Sequence, residues 1–229
     1  MKKGVFYGVG IGPGDPELLT LKAVKTIENS QIILAPETKS GQSLALSIAE
    51  GAVDFSGKKV VKIAFPMVKD ATIRQKRYEA IAKEAEGYLN QGLNVSMLNL
   101  GDVSIYSTVS YILPLIKEKG FETQMIPGIT SFCAVGARLQ ESLTSIEKPL
   151  HIVPMCHEGL EENIGLKGTK VLMKNKESIE SVKKALAEAG LLEKAILVEN
   201  CGLPNEKVIY DMNEAQDGGS YFTTIIVKD

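Results

Sequence analysis

The sequence predicts an α/β protein of two domains, the first built on a mostly parallel sheet and the second on a mixed one. Three observations predict it. Short apolar runs alternate with stretches of helical period from residue 5 to residue 126, the pattern of repeated strand–helix units. The run 94–100 carries no charge, as expected of a strand buried on both faces of a parallel sheet. Three strand-like runs crowd into the last 36 residues with little helix between them, which fits a mixed sheet. The domain boundary is placed at 1–125 and 126–229.

The elements follow in order. Residues 5–10 read as a first strand entering a Gly-rich turn at 10–15. Pro16 sits where a helix can begin, because its missing N–H costs nothing at the first helical position. Leu18, Leu21, Val24 and Ile27 continue at near-helical spacing. A strand at 31–35 ends at Pro36, a helix covers 43–53, and 60–64 is a third strand. Residues 70–90 give the clearest helix: Asp70 is the N-cap and Tyr78, Ile81, Ala85, Tyr88 and Leu89 form one apolar face. The strand 94–100 is followed by a helix at 107–119 and a strand at 121–126. Thr130 or Ser131 caps a helix running to 139. Strands are expected at 150–154, 169–173, 194–199, 207–210 and 221–227, with a helix at 177–189.

Composition excludes several classes. Twenty-six Lys and Arg stand against 28 Asp and Glu, a formal charge of −2, whereas a nucleic-acid binder is usually basic. Only Arg74, Arg77 and Arg138 carry guanidinium groups. Cys133, Cys156 and Cys201 are far apart and form no CxxC pair, which reads as reduced thiols in a cytoplasmic protein. The N-terminal run is short and broken by glycines, so no signal peptide is expected. No apolar stretch is long enough for a membrane span. His151 and His157, the latter beside Cys156, have no metal-site spacing, and no protein-bound metal is expected.

Three loops carry the chemistry, each leaving the C-terminal end of a predicted strand, the edge where open α/β sheets bind ligands. The first is Gly8-Val9-Gly10-Ile11-Gly12-Pro13-Gly14-Asp15-Pro16. It fails the dinucleotide fingerprint, since the required third glycine falls on Pro13 or Asp15. It is either a tight turn or a place where backbone approaches a ligand. The second runs from Leu98 to Ser107 and presents Gly101-Asp102 and then hydroxyl groups. Asp102 either caps the next helix or accepts hydrogen bonds from a ligand. The third is Pro127-Gly128-Ile129-Thr130-Ser131, whose hydroxyls cap a helix or meet a ligand at its positive end.

Taken together, GxGPGDP followed by LLTLKA, then LGDxSxYS, then PGITS closely resembles the tetrapyrrole methylases, a family of S-adenosylmethionine-dependent methyltransferases without a Rossmann fingerprint. The resemblance covers the whole chain, including Val171-Leu172-Met173-Lys174, Glu199-Asn200-Cys201-Gly202 and residues 223–227. One departure is Val103, where the family usually has a proline that would fix φ. Phe65-Pro66-Met67, the segment 98–111 and the segment 130–139 are similar to members that methylate carbon 20 of precorrin-2 or its cobalt-containing counterpart in cobalamin biosynthesis.

The resemblance implies a cofactor cleft between the two domains. It assigns Pro13, Leu100, Gly101, Asp102, Ile105, Thr130, Ser131, Met173, Thr223 and Thr224 to S-adenosylmethionine, which leaves as S-adenosylhomocysteine. It also implies attack of a nucleophilic tetrapyrrole carbon on the methyl group, with in-line placement as the main contribution and a water-poor site around the vanishing sulfonium charge. The base is not identified by sequence; Tyr106, Asp102 and Glu199 are the candidates. Arg74, Lys76, Arg77, Arg138 and Lys174 are candidates for a basic rim facing the substrate's carboxylates, the alternative for each being a solvated surface charge. The resemblance further implies a homodimer. Alternatives are a methylase of another tetrapyrrole position, a non-catalytic S-adenosylmethionine- or nucleotide-binding module, and a Rossmann dehydrogenase, which the failed fingerprint disfavours.

Overall fold

The computed structural model describes residues 2–38, 41–65, 68, 70–155, 159–174 and 178–228. The chain divides into two compact units, Met1–Thr130 and Ser131–Asp229.

The first unit alternates β1 (Val5–Gly10), α1 (Leu21–Glu28), β2 (Ile32–Glu37), α2 (Leu44–Glu50), β3 (Lys59–Ala64), α3 (Ala71–Leu89), β4 (Val95–Asn99), α4 (Val109–Glu118) and β5 (Glu122–Ile126). The strands form one sheet in the order β3-β2-β4-β1-β5, with every pairing parallel. Side chains alternate across a strand, and this sorts the core. Phe6, Ile32, Leu34, Ile63, Val95 and Met97 pack against Tyr78, Ile81, Ile112 and Ile116 of α3 and α4. The helices α1 and α2 contact β1 and β2. All five residues of the central strand β4 are buried, and its one hydroxyl, Ser96 Oγ, is satisfied by Ser30 Oγ at 2.7 Å.

Among the element ends that differ from the sequence expectation, two have a clear local cause. Pro16 begins only a 3-10 turn, Pro16–Leu18, capped by Asp15. The α-helix starts at Leu21, where Thr20 Oγ1 accepts from Ala23 N at 3.1 Å; the stronger local cap takes the start. The strand β2 continues through Pro36 to Glu37. Its pairing with β4 stops at Leu34, so Pro36 lies where one side of the strand has no partner and the lost N–H costs nothing.

The second unit contains α5 (Ser131–Arg138), β6 (Leu150–Pro154), α6 (Leu160–Ile164), β7 (Thr169–Met173), α7 (Ile179–Glu188), β8 (Ala195–Glu199), β9 (Lys207–Ile209) and β10 (Thr223–Val227). Its sheet has the order β6-β7-β10-β8-β9. It is mixed as expected: β6 and β7 are parallel, and the other pairs are antiparallel. Leu172, Leu197, Ile225 and Val227 pack on Ile179, Val182 and Leu186 of α7, while α5 contacts β10. The short α6 was not expected from periodicity. The expected helix start at Glu177 lies outside the described residues; Ser178 caps α7.

Candidate functional site

Parallel strands deliver their outgoing loops to one edge. Here β4, β1 and β5 are neighbours, and their ends are nearly flush, since Gly10 pairs with Asn99 and Val9 with Ile126. The three motif loops therefore meet at the C-terminal edge of the first sheet. Gly12 and Gly101 form an antiparallel bridge, with Gly101 N donating to Gly12 O at 2.8 Å. Gly128 packs on both other loops: a Cβ there would lie 2.3 Å from Gly101 O and 2.8 Å from Gly10 C. Only glycine permits backbone to lie that close to backbone. Gly101 has φ +71 and nothing nearer than Ile129 O, at 3.9 Å, where a side chain would begin. Its own surroundings are open.

Asp102 ties the junction together. Oδ1 accepts from Ser104 N at 2.8 Å and Ser104 Oγ at 2.5 Å, and Oδ2 accepts from Gly128 N at 2.8 Å. The side chain is buried. Burial pushes its pKa up, but the hydrogen bonds from Ser104 and Gly128 outweigh this and hold the carboxyl below its ordinary value. Both oxygens are thus engaged within the protein. Val103, at the position where a proline was expected, is 2% exposed and joins the first core, so apolar packing anchors this loop.

Two further residues complete the frame, and the sequence reading did not single them out for this. Asn99 Nδ2 donates to Leu100 O at 2.8 Å and Asp102 O at 3.0 Å. Its Oδ1 accepts from Ser107 Oγ at 2.7 Å, and Ser107 Oγ in turn accepts from Val109 N at 3.0 Å. A buried amide at the end of an uncharged, fully buried strand was the available signal. Tyr106, between these anchors, has φ +48 and is 46% exposed, an uncommon conformation for a bulky residue.

Thr130 closes the unit. Its Oγ1 is buried and has no hydrogen-bond partner among the described residues. A buried hydroxyl left unpaired costs free energy, and a ligand group accepting or donating there relieves it. That orphan hydroxyl, the open space at Gly101 and the half-buried Pro13, Leu100 and Ile105 fit a polar ligand seated on backbone.

In the second unit Met173 pairs directly with Thr224 across β7 and β10, so both lie on one face of that sheet. Thr224 Oγ1 donates to Ser131 Oγ at 3.4 Å. Thr223 is the next residue along β10 and faces the other way; its hydroxyl donates to Ser220 O at 2.5 Å. Glu199 pairs with Thr223 at the same sheet edge and accepts from Ser220 N at 3.2 Å.

The five candidates for the basic rim fall in both units. Arg74 and Arg77 lie three residues apart on one face of α3 and reach backbone carbonyls, Val68 O at 2.9 Å and Ala64 O at 2.8 Å. Lys76 is exposed on a different side of that helix. Arg138 Nε is engaged by Glu206, in the second unit. Lys174 has φ +58 and its ammonium lies 5.6 Å from the Tyr221 ring centre. Among the described residues no group of three metal-ligating side chains occurs. His151 bonds Lys167 O at 2.9 Å; Cys156, His157, Pro66 and Met67 lie outside the described residues. Among the described residues no helix is long and apolar enough to cross a membrane.

A parallel sheet followed by a mixed one, with a glycine-packed three-loop junction and no dinucleotide fingerprint, defines a class of α/β ligand-binding protein distinct from the Rossmann enzymes. The family model of the tetrapyrrole (corrin/porphyrin) methylases matches residues 5–215, and the chain belongs to that family. It is similar to a probable cobalt-precorrin-2 C(20)-methyltransferase of Methanocaldococcus jannaschii, 37% identical over 171 residues, 74% of this chain and 72% of that protein. It is also similar to the cobalt-precorrin-2 C(20)-methyltransferase of Salmonella typhimurium, 31% identical over 98% of this chain and 96% of that protein. The fold matches the X-ray structure of a cobalt precorrin-4 methyltransferase with a TM-score of 0.77 at 21% identity, over 98% of this chain and 94% of that one. A uroporphyrin-III C-methyl transferase from Thermus thermophilus complexed with S-adenyl homocysteine gives a TM-score of 0.70 at 20% identity, over 98% and 92% of the two chains.

Proposed function

We propose that this protein methylates carbon 20 of precorrin-2 or of its cobalt-containing counterpart, in the synthesis of the corrin ring, with S-adenosylmethionine as donor. The observation that carries the reading is the pair of relatives of that printed activity, 37% and 31% identical over 74% and 98% of the chain. The orphan hydroxyl of Thr130 beside the glycine junction supports a cofactor seat there.

When bound, S-adenosylmethionine supplies a methyl group activated by a cationic sulfur. Pro13, Leu100, Gly101, Ile105 and Thr130 in the first unit, and Ser131, Met173, Thr223 and Thr224 in the second, are the residues we assign to it. Thr130 gives its unspent hydroxyl, Gly101 leaves space for close backbone approach, and Met173 offers a polarizable surface. Asp102 serves by holding the loops in register, because both its oxygens are already engaged. A carboxylate so engaged, with its pKa held down, is a poor proton acceptor, which leaves Tyr106 and Glu199 as the candidates to take the proton from the methylated carbon. A homodimer and a cytoplasmic location complete the reading, and light scattering tests the first.

The deciding experiment is anaerobic incubation with S-adenosylmethionine and either metal-free precorrin-2 or the cobalt form. Mass spectrometry counts added methyl groups, and NMR locates them. One methyl at carbon 20 in one incubation is the expected result. No methylation of either compound, with intact S-adenosylhomocysteine binding, would replace this reading by a non-catalytic binding module.

A further inference from the structure

In the second unit the start of β10 is tied down through two residues with no assigned task, Asn200 and Ser220. Asn200 follows β8, is 8% exposed and has φ +53, a conformation asparagine tolerates better than most residues. Its N donates to Phe222 O at 2.9 Å, and its Oδ1 accepts from Ser220 Oγ at 2.6 Å. Ser220 Oγ in turn accepts from Phe222 N at 3.1 Å. Ser220 N donates to Glu199 Oε1 at 3.2 Å, and Ser220 O accepts from Thr223 Oγ1 at 2.5 Å. The approach to this clamp is fixed as well. Asp217 Oδ1 accepts from Ile179 N at the start of α7, and a Cβ on Gly219 would lie 2.0 Å from Glu199 Oε1.

These bonds set where β10 begins and how its first residues point. Thr223 spends its single hydroxyl proton on Ser220 O, so toward a ligand it offers lone pairs only. Thr224 spends its proton on Ser131 Oγ, with the same result. Both are therefore suited to accept from donor groups such as ribose hydroxyls or an adenine amino group. A binding group keeps its geometry only when its own rotamer is locked by a supporting layer of packing and hydrogen bonds. Linked hydrogen bonds of this kind act together rather than singly. The carboxamide of Asn200 is buried and serves the network from within, through Ser220.

We propose that Asn200 and Ser220 are positioning residues that hold Thr223 and Thr224 in the geometry required to seat S-adenosylmethionine. This rests on the assignment of those two threonines to the cofactor and adds the device that orients them. The two residues act through the start of β10 and have no part in holding the tetrapyrrole.

The test uses the full chain and S-adenosylhomocysteine as the probe, with affinity measured by calorimetry well below the melting temperature. Anaerobic kinetics with precorrin-2 are measured in parallel. Ser220→Ala removes the central hydroxyl. Asn200→Gly removes the carboxamide and keeps the backbone conformation without strain. Each is expected to weaken S-adenosylhomocysteine binding about tenfold and to raise KM for S-adenosylmethionine by a similar factor, with KM for precorrin-2 unchanged. Ser220→Thr, which keeps the hydroxyl, is expected to retain wild-type affinity. A merely structural role would lower the melting temperature and leave the affinity of the folded protein as it was. Thr224→Val is the control for the cofactor assignment and is expected to lose affinity. Wild-type affinity in both Ser220→Ala and Asn200→Gly, with affinity lost in Thr224→Val, would overturn the positioning role alone. Wild-type affinity in Thr224→Val as well, or a wild-type protein that does not bind S-adenosylhomocysteine, would overturn the cofactor assignment with it.

Discussion

Replacing Asp102 by alanine separates a structural tie from a ligand contact. The carboxylate receives Gly128 N, from the third loop, and both donors of Ser104. Ser104 is exposed, so water replaces its lost acceptor at a cost of about 0.5–1 kcal/mol. Gly128 N is only partly exposed and loses a charged acceptor, costing about 1.5–2 kcal/mol. The sum is about 2–3 kcal/mol, a fall of about 8–12 °C in the melting temperature of a unit this size. Because the folded pKa is lowered, the contribution is complete above the unfolded value of about 3.9 and is lost as pH falls through the folded pKa. Thermal melts of wild type and Asp102→Ala should differ fully at pH 7 and converge as pH falls through the folded pKa. S-adenosylhomocysteine affinity should fall as well, because the loop is released. An unchanged melting temperature with weakened ligand binding would refute the reasoning, since it would mean the carboxylate spends its charge on the ligand rather than on Gly128.

Three other outcomes are expected. Thr130→Val removes a buried hydroxyl that has no partner among the described residues; the ligand-free protein should keep or gain up to about 1 kcal/mol, while S-adenosylhomocysteine affinity falls about tenfold, and lower ligand-free stability would contradict this. Gly128→Ala places a Cβ 2.3 Å from Gly101 O and should cost about 2–3 kcal/mol in denaturant unfolding by forcing the loops apart. Cys201 is buried and its thiol is pushed up to about 11, by burial first and then by Glu206, whereas Cys133 is exposed. Iodoacetamide at about pH 8 should therefore label Cys133 and spare Cys201, read by peptide mass mapping.

The linear order of residues was sufficient for much of this protein. Apolar periodicity set the run of strands and helices, and the absence of charge in 94–100 marked the strand that lies buried at the centre of the first sheet. The crowded strands of the last 36 residues form the antiparallel part of the second sheet. The motif loops were visible too, because glycine, proline and small hydroxyl residues are locally distinctive. Local cap competition was less legible: Pro16 was an adequate helix start, and Thr20 a better one.

What the motif residues do to one another needed the fold. The parallel order β4-β1-β5 brings three loops far apart in sequence to one edge, and only there does Asp102 find Gly128 as its donor. The same carboxylate read alone looks available to a ligand. Thr223 and Thr224 are chemically alike and adjacent, yet strand alternation sends their side chains to opposite faces, and only the register with Met173 says which face is which. An aromatic ladder joins Phe65, just after β3, to Tyr78 of α3 and Tyr111 of α4, with no spacing in the chain to announce it. Secondary structure is encoded in neighbours a few residues away, so the sequence by itself determines it. The partners of a buried polar group or an exposed ring come from distant strands and helices, and packing alone decides them.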